Sequence, residues 1–201
     1  MTSGDMEKAS NGSTTAAART TEEKDEKTDV LPKLSPADFQ IFNRLAEMME
    51  EYHNRFRRTW NELYHTASSG TSLLPGAQKQ YVTRGLQFCS HLKMHHDIEE
   101  TYFFPVLAKK MPAFRKELEL LTQHKAIHAG LLKLQDYLRQ SASSSRGTTA
   151  EKGDFSLDKV REIMQSFGAV LWQHLDEEVK TLGAENMRRF WSREEMLGLP
   201  F

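Results

Sequence analysis

Residues 95–105 read HHDIEETYFFP, and this stretch decides how the rest of the chain is interpreted. His95 and Glu99 stand four residues apart, so in an α-helix their side chains project from one face, about a turn apart. The same face continues the helical spacing of upstream apolar residues such as Leu92. The pattern predicts a helix that presents an imidazole and a carboxylate from its apolar side.

Three other segments repeat this arrangement. His174 and Glu178 are also four residues apart, and His124 and His128 form a histidine pair with the same spacing. Both pairs continue apolar stripes of 3.6-residue period, and His53 lies at the edge of another such stripe. Four helices are therefore predicted to point metal-binding side chains toward a shared interior.

The apolar periodicity predicts an all-α protein, an antiparallel up-down-up-down four-helix bundle. No stretch shows the alternation that is typical of a strand. The first helix is predicted to begin at Ser35-Pro36, a capping hydroxyl followed by a proline at the first helical position. The predicted helices run from there to about residue 67, from 82 to 111, from 114 to 140, and from 155 to Gly183, which is placed for a carboxyl-terminal cap.

The 201 residues are enough for one ordinary domain. Residues 1–33 have almost nothing to bury and predict a disordered tail, whereas residues 34–184 form the predicted bundle. Residues 185–201 predict a short helical extension at the carboxyl end.

Charge and composition narrow the function classes. A formal net charge of -1 gives no reason to expect nucleic acid or an anionic membrane surface as a partner. No run approaches the roughly 20 apolar residues of a membrane span, and the amino terminus lacks the apolar run of a secretory signal. The single cysteine, Cys89, cannot form an internal disulfide. We expect a cytoplasmic protein that binds neither membrane nor nucleic acid.

The conjunction of five histidines and two glutamates in one core predicts metal. Each pair alone is commonly a helix-surface pair, but burying seven such side chains costs several kcal/mol apiece unless each finds a partner. The set is too rich in nitrogen for calcium or magnesium, and too large for one tetrahedral zinc. It fits two metals bridged by carboxylates. Iron is the expected metal; manganese or a mixed iron and zinc pair would satisfy nearly the same ligands.

These segments resemble those of the hemerythrin-like (HHE cation-binding) domain family. Residues 95–105 are similar to its second-helix signature, residues 123–128 (QHKAIH) to its third-helix histidine pair, and residues 174–178 (HLDEE) to its fourth-helix motif. His53, in the segment YHNRF, takes the place of the first-helix histidine. The resemblance covers about residues 36–183.

The resemblance implies two iron ions joined by an oxo or hydroxo bridge, with Glu99 and Glu178 as bridging carboxylates. One iron has three histidine ligands, and the other has two and an open position. The implied ligands are His124, His128 and His174 for the first iron, and His53 and His95 for the second.

Two points in the pattern matter for the site. His96 and Glu100 also share a helix face, so periodicity alone leaves them open; counting back from Phe104 in the family signature selects His95 and Glu99, with His96 behind them. The oxygen-carrying hemerythrins have a bridging aspartate five residues beyond the fourth-helix histidine, where this chain has Val179. The altered position of the carboxylate puts reversible oxygen carriage in question.

Two functions follow. The first is a protein that binds dioxygen or a related small molecule for sensing, storage or scavenging; the second is a di-iron redox enzyme acting on peroxide, nitric oxide or an organic substrate. A substrate-sized pocket beside the open iron would discriminate between them. A ferritin-like iron oxidase needs the motif E-x-x-H on two helices, and only Glu62 with His65 fits it. The sequence does not identify the electron donor.

Overall fold

The computed structural model describes residues 31–115, 119–144 and 155–201, and these residues are helical, without strands. In chain order the elements are α1 (Pro36–Ser68), α2 (Pro75–Ile98), a π-helix (Glu99–Phe103), α3 (Phe104–Leu107), a 3-10 helix (Pro112–Phe114), α4 (Glu119–Ser144), α5 (Leu157–Thr181), α6 (Ala184–Met187) and α7 (Arg193–Leu197). The four long helices are α1, α2, α4 and α5.

The start of α1 follows the local signals in the sequence. The Ser35 hydroxyl accepts a hydrogen bond from the backbone N–H of Asp38 at 3.1 Å, and Pro36 occupies the first turn. This satisfies one of the amide groups that a helix leaves without a partner at its amino end. Helix α5 begins in the same way, with Ser156 accepting from the N–H of Lys159.

The second predicted helix is interrupted. Helix α2 ends at Ile98, and the next five residues form a π-helix in which the N–H of Phe104 donates to the carbonyl of Glu99. Pro105 follows directly. A proline has no N–H to give to the carbonyl four residues earlier, so a change of helical register at this place sacrifices little hydrogen bonding.

Two further boundaries differ from the sequence prediction. Phe114 belongs to a 3-10 helix and not to α4, which begins at Glu119. Gly183 has φ -65° and lies at the amino-terminal cap of α6, so it is not a left-handed cap of α5. The Ser-rich connection after Ser144 and the tail up to residue 30 lie outside the described residues.

The four long helices form a closed arrangement, because α1 packs against α2 and α5, and α4 packs against the same two helices. Two apolar clusters fill it. One surrounds Trp60, Leu92 and Phe167, and the other surrounds Leu45 and Phe104. Along each long helix and the residues that follow it, the candidate ligands lie where residues of one cluster are followed by residues of the other. The up-down-up-down direction of the helices stays a prediction.

The segment after α5 packs onto the second apolar cluster. Met187 and Met196 are fully buried, and the ring of Phe201 stacks on that of Phe103 with a centroid distance of 4.2 Å. The guanidinium of Arg44 in α1 donates to the carbonyl of Met196. Residues 185–201 therefore belong to the same compact unit as the bundle, which runs from Leu34 to Phe201.

Cys89 is 2% exposed in the first apolar cluster, and burial raises the pKa of its thiol to about 12. Such a thiol stays protonated and packs as a small apolar side chain. Among the described residues, every helix is too short or too polar to cross a membrane.

Gly130 of α4 packs directly against Phe167 of α5. A Cβ at this position would lie 2.3 Å from the ring of Phe167 and 2.6 Å from its Cβ. Since Phe167 cannot yield without moving its own backbone, Gly130→Ala is expected to destabilise the fold by about 1–3 kcal/mol, despite the better helix propensity of alanine. Urea denaturation followed by circular dichroism measures this. In the control Gly76→Ala, no atom lies within 4 Å of the new Cβ, and stability should be unchanged or higher. Equal effects of the two substitutions would contradict the close packing.

Candidate metal centre

A cluster of imidazoles and carboxylates occupies the bundle interior. Each long helix and the π-helix contribute to it, and all members except His95 are almost completely buried. The side chains form three groups, and within each group the potential ligand atoms all lie within 4.8 Å of one another. The first group is His96, Glu99, His124 and His174, the second is His53, His95 and Glu99, and the third is His53, His174 and Glu178.

Two of the histidines are oriented by oxygen atoms behind them. His53 Nδ1 lies 2.9 Å from the carbonyl oxygen of Leu175, and His124 Nδ1 lies 2.8 Å from a carboxylate oxygen of Glu100. Both partners are acceptors, so Nδ1 carries the proton and donates it. The other ring nitrogen, Nε2, is left with a free lone pair that faces the cluster.

His174 is oriented in the same way, and His96 faces another imidazole. His174 Nδ1 lies 3.3 Å from the side-chain oxygen of Gln123, which accepts its proton. His96 Nδ1 lies 3.1 Å from Nε2 of His128, a contact in which either ring can donate. Metal-binding histidines characteristically donate their outer N–H to such a partner, which fixes the tautomer and the ring plane. His53, His124 and His174 therefore present Nε2 inward in the form that binds a metal.

The two buried carboxylates join the groups. Oε1 of Glu99 lies 2.8 Å from His95 Nε2, while its Oε2 lies 3.6 Å from His124 Nε2. Oε2 of Glu178 lies 3.4 Å from His53 Nε2 and 3.5 Å from His174 Nε2. Each carboxylate therefore connects a histidine of the first group with a histidine outside that group.

The donor atoms have no partners other than one another. Seven of them make no hydrogen bond of good geometry with the described residues: Nε2 of His53, His95 and His96, and both carboxylate oxygens of Glu99 and Glu178. In addition, His124 Nε2 and His174 Nε2 face each other at 3.2 Å. Buried polar atoms without partners cost about 1–3 kcal/mol each, so this donor set fits cations placed among them.

Burial keeps these histidines neutral. It lowers the pKa of His95 and of His174 to about 3, and that of His124 to about 4. Burial also lowers the pKa of His96 well below its ordinary value, and neighbouring imidazoles add to the effect. Neutral imidazole is the form that binds a metal, so no proton has to be displaced near neutral pH.

The two carboxylates differ. Burial and the nearby charge of Glu178 raise the pKa of Glu99 well above its ordinary value. Burial acts in the same direction on Glu178, but the contacts with His53 and the other imidazoles outweigh it and lower the pKa. A cation beside Glu99 would take the place of the proton that this carboxylate otherwise retains.

Comparison with known protein families adds to this geometry. The family model described as the hemerythrin HHE cation binding domain matches residues 44–185. The chain belongs to this family. The matched range includes every residue of the cluster, so the buried His/Glu cluster lies inside the HHE domain of this chain.

A curated relative is the "Dimeric xanthone biosynthesis cluster protein R11" of Cryptosporiopsis sp. (strain 8999). It is 31% identical over 161 residues, which are 75% of this chain and 56% of that protein. The chain therefore spans just over half the length of this relative. No solved structure matches the chain.

The HHE domain brings together six of the seven side chains that the sequence pointed to. The exception is His128, which is half-buried and lies behind His96, outside the three groups of ligand atoms. His96, expected behind the ligands, lies inside the first group instead. The six are His53, His95, Glu99, His124, His174 and Glu178.

The sequence did not predict which side chains lie behind the ligands. Periodicity left Glu100 open as a ligand, but its carboxylate lies behind His124, 2.8 Å from Nδ1. Gln123 carried no signal, since a glutamine beside a histidine is common. His65 and His91 are exposed and belong to none of the three groups of ligand atoms.

Proposed function

We propose that the chain is a non-haem di-iron protein that binds dioxygen or a related small molecule, for sensing, storage or scavenging. The observation that carries this is Glu99, whose two oxygens face histidines of different groups. A carboxylate in this position supports a pair of metals and not one, because each oxygen can serve a separate ion. Nitrogen-rich ligands with two carboxylates favour iron over calcium or magnesium.

An iron pair supplies reversible electron transfer to a bound small molecule, and the protein controls access to it. His124 and His174 are completely buried, so water is excluded on their side. The side chain of His95 is 11% exposed, the largest exposure in the cluster. Small molecules therefore reach the centre beside His95, which is the side that the resemblance assigns to the open iron.

A second candidate is a di-iron redox enzyme with an organic substrate. A cavity of about 440 Å³ between α1 and α2 includes His95 and Glu99 in its lining. A centre that only binds a diatomic molecule has no need for a space of this size. The relative's printed name, which refers to dimeric xanthone biosynthesis, also supports chemistry on organic molecules.

The test is metal content after anaerobic purification, followed by absorption spectra as air is admitted. About two irons per chain are expected, and His124→Ala should remove at least one of them because the buried ligand has no substitute. His65→Ala, an exposed histidine outside the cluster, should leave the content unchanged. A spectral change that reverses when oxygen is removed supports the binding protein, and oxidation with turnover of peroxide, nitric oxide or an organic compound supports the enzyme. Less than one metal per chain, unaffected by His124→Ala, would refute both.

A further inference from the structure

The cavity between α1 and α2 extends along both helices. Its lining on α1 runs from Met48 to Thr59, which corresponds to about 16 Å of helix. Its volume of about 440 Å³ lies within the range of roughly 300–1,000 Å³ that is typical of pockets for small organic ligands. His95 and Glu99 lie along its inner wall, so an occupant would be next to the metal centre.

The walls are apolar, and the apolar character continues to the mouth. Phe56 and Phe88 are buried in the inner wall, whereas Tyr52, Met94 and Ile98 are 46%, 55% and 41% exposed. Exposed apolar side chains that line one cavity mark a binding site, since leaving them in water has a cost that a ligand would remove. The methionine and aromatic side chains suit a flat, aromatic body.

Two guanidinium groups lie at one end of the cavity. Arg55 of α1 and Arg84 of α2 line it near Thr59. Arg55 pairs with Glu51, and Arg84 with Glu62 at 3.0 Å, but both pairs lie at the exposed surface. Exposed ion pairs contribute little, so either guanidinium can exchange its partner for an acidic group of a ligand, which it can grip with two N–H donors.

We propose that this cavity binds an elongated organic molecule with an apolar, aromatic body and one acidic group. The body lies against Phe56 and Met94 beside His95, and the acid pairs with Arg55 and Arg84. The inference rests on the proposed function in one respect only, which is that metals would lie at the inner wall of the cavity. The cavity and its charged end exist whether or not iron occupies the centre.

The charged end is tested with two fluorescent probes that differ in one group. These are 8-anilinonaphthalene-1-sulfonate and its uncharged analogue N-phenyl-1-naphthylamine, titrated into the full chain, metal-free and loaded with Zn²⁺. Both should bind saturably. The double variant Arg55→Gln/Arg84→Gln should weaken sulfonate binding about fivefold and leave the uncharged probe unaffected. Arg58→Gln, an exposed arginine of the same helix that does not line the cavity, is the matched control.

The apolar body is tested by filling the mouth. Met94→Trp should weaken both probes, whereas Leu132→Trp on α4 should weaken neither; the two parent side chains are 55% and 57% exposed, so neither substitution is expected to impair folding. Circular dichroism melts check this. The proposal is overturned if the wild-type chain shows no saturable binding, if Met94→Trp and Leu132→Trp behave alike, or if the arginine variant affects both probes equally. If the probes bind as expected but the anaerobically purified chain holds less than one iron, the proposed function is refuted and the cavity assignment stands.

Discussion

Replacing His96 with alanine is expected to remove at least one metal per chain, whereas replacing His128 should leave both metals bound with about 10- to 100-fold lower affinity. The two histidines differ in position. His96 Nε2 is fully buried, faces the cluster and belongs to the same group of donor atoms as His124. His128 contacts His96 Nδ1 from behind, so its removal affects only the orientation of a ligand.

The measurement is metal stoichiometry after dialysis, followed by competition with a chelator to obtain the affinity. His65→Ala is the matched control, because this exposed side chain lies on α1 outside the cluster. Full loss of a metal in His128→Ala with normal content in His96→Ala would contradict the arrangement described here. That result would instead support the ligand set implied by the family resemblance, in which His128 binds the metal directly.

The metal-free chain is expected to lose most of its stability between pH 7 and pH 5. In the folded state the pKa of His95 and of His174 is about 3, and that of His124 about 4, against an ordinary value of 6.5. Below pH 6.5 the unfolded chain therefore binds more protons than the folded chain, and folding stability falls with falling pH. At pH 5 each of these three buried histidines lowers the free energy of unfolding by roughly 2 kcal/mol. The sum approaches the whole free energy of unfolding of many domains.

Glu99 acts in the opposite direction, since its raised pKa favours the folded state at low pH. One carboxyl does not offset three histidines. Urea denaturation of the chelated protein at pH 7, 6 and 5 measures the effect, and the metal-free variant His174→Leu should show a weaker pH dependence because it lacks one of the titrating groups. Equal stability of the wild-type chain at pH 7 and pH 5 would contradict the buried, neutral state of these side chains.

The fold was predictable because its signals are local. The apolar periodicity and the cap at Ser35 predicted an all-α protein, and the structure and the family match confirm this. The breaks within the second and third predicted helices were not predictable from periodicity. Phe114 fits the apolar spacing of the third predicted helix, but its backbone belongs to a 3-10 helix whose position depends on tertiary packing.

The candidate site was predictable only to within one residue. Spacing found the histidine and glutamate pairs, yet periodicity alone left His96 and Glu100 open beside His95 and Glu99, and it put His128 in line with His124. The choice depends on how α2 is rotated against α4, and that rotation is set by packing across the bundle. The ligand assignment stays a prediction until metals are counted in the variants described above.

The π-helix at Glu99–Phe103 also bears on how related sequences are compared. It accommodates one residue more than a regular helix would need between the ligands and the apolar side chain of Phe104. A relative that lacks Thr101 or Tyr102, both exposed here, would return to regular α-helical geometry with the ligands and Phe104 still facing the core. A relative of unchanged length whose π-helix became a regular helix would instead rotate the ligands by about 100° relative to Phe104. A single-residue gap in this stretch is therefore compatible with the same metal centre.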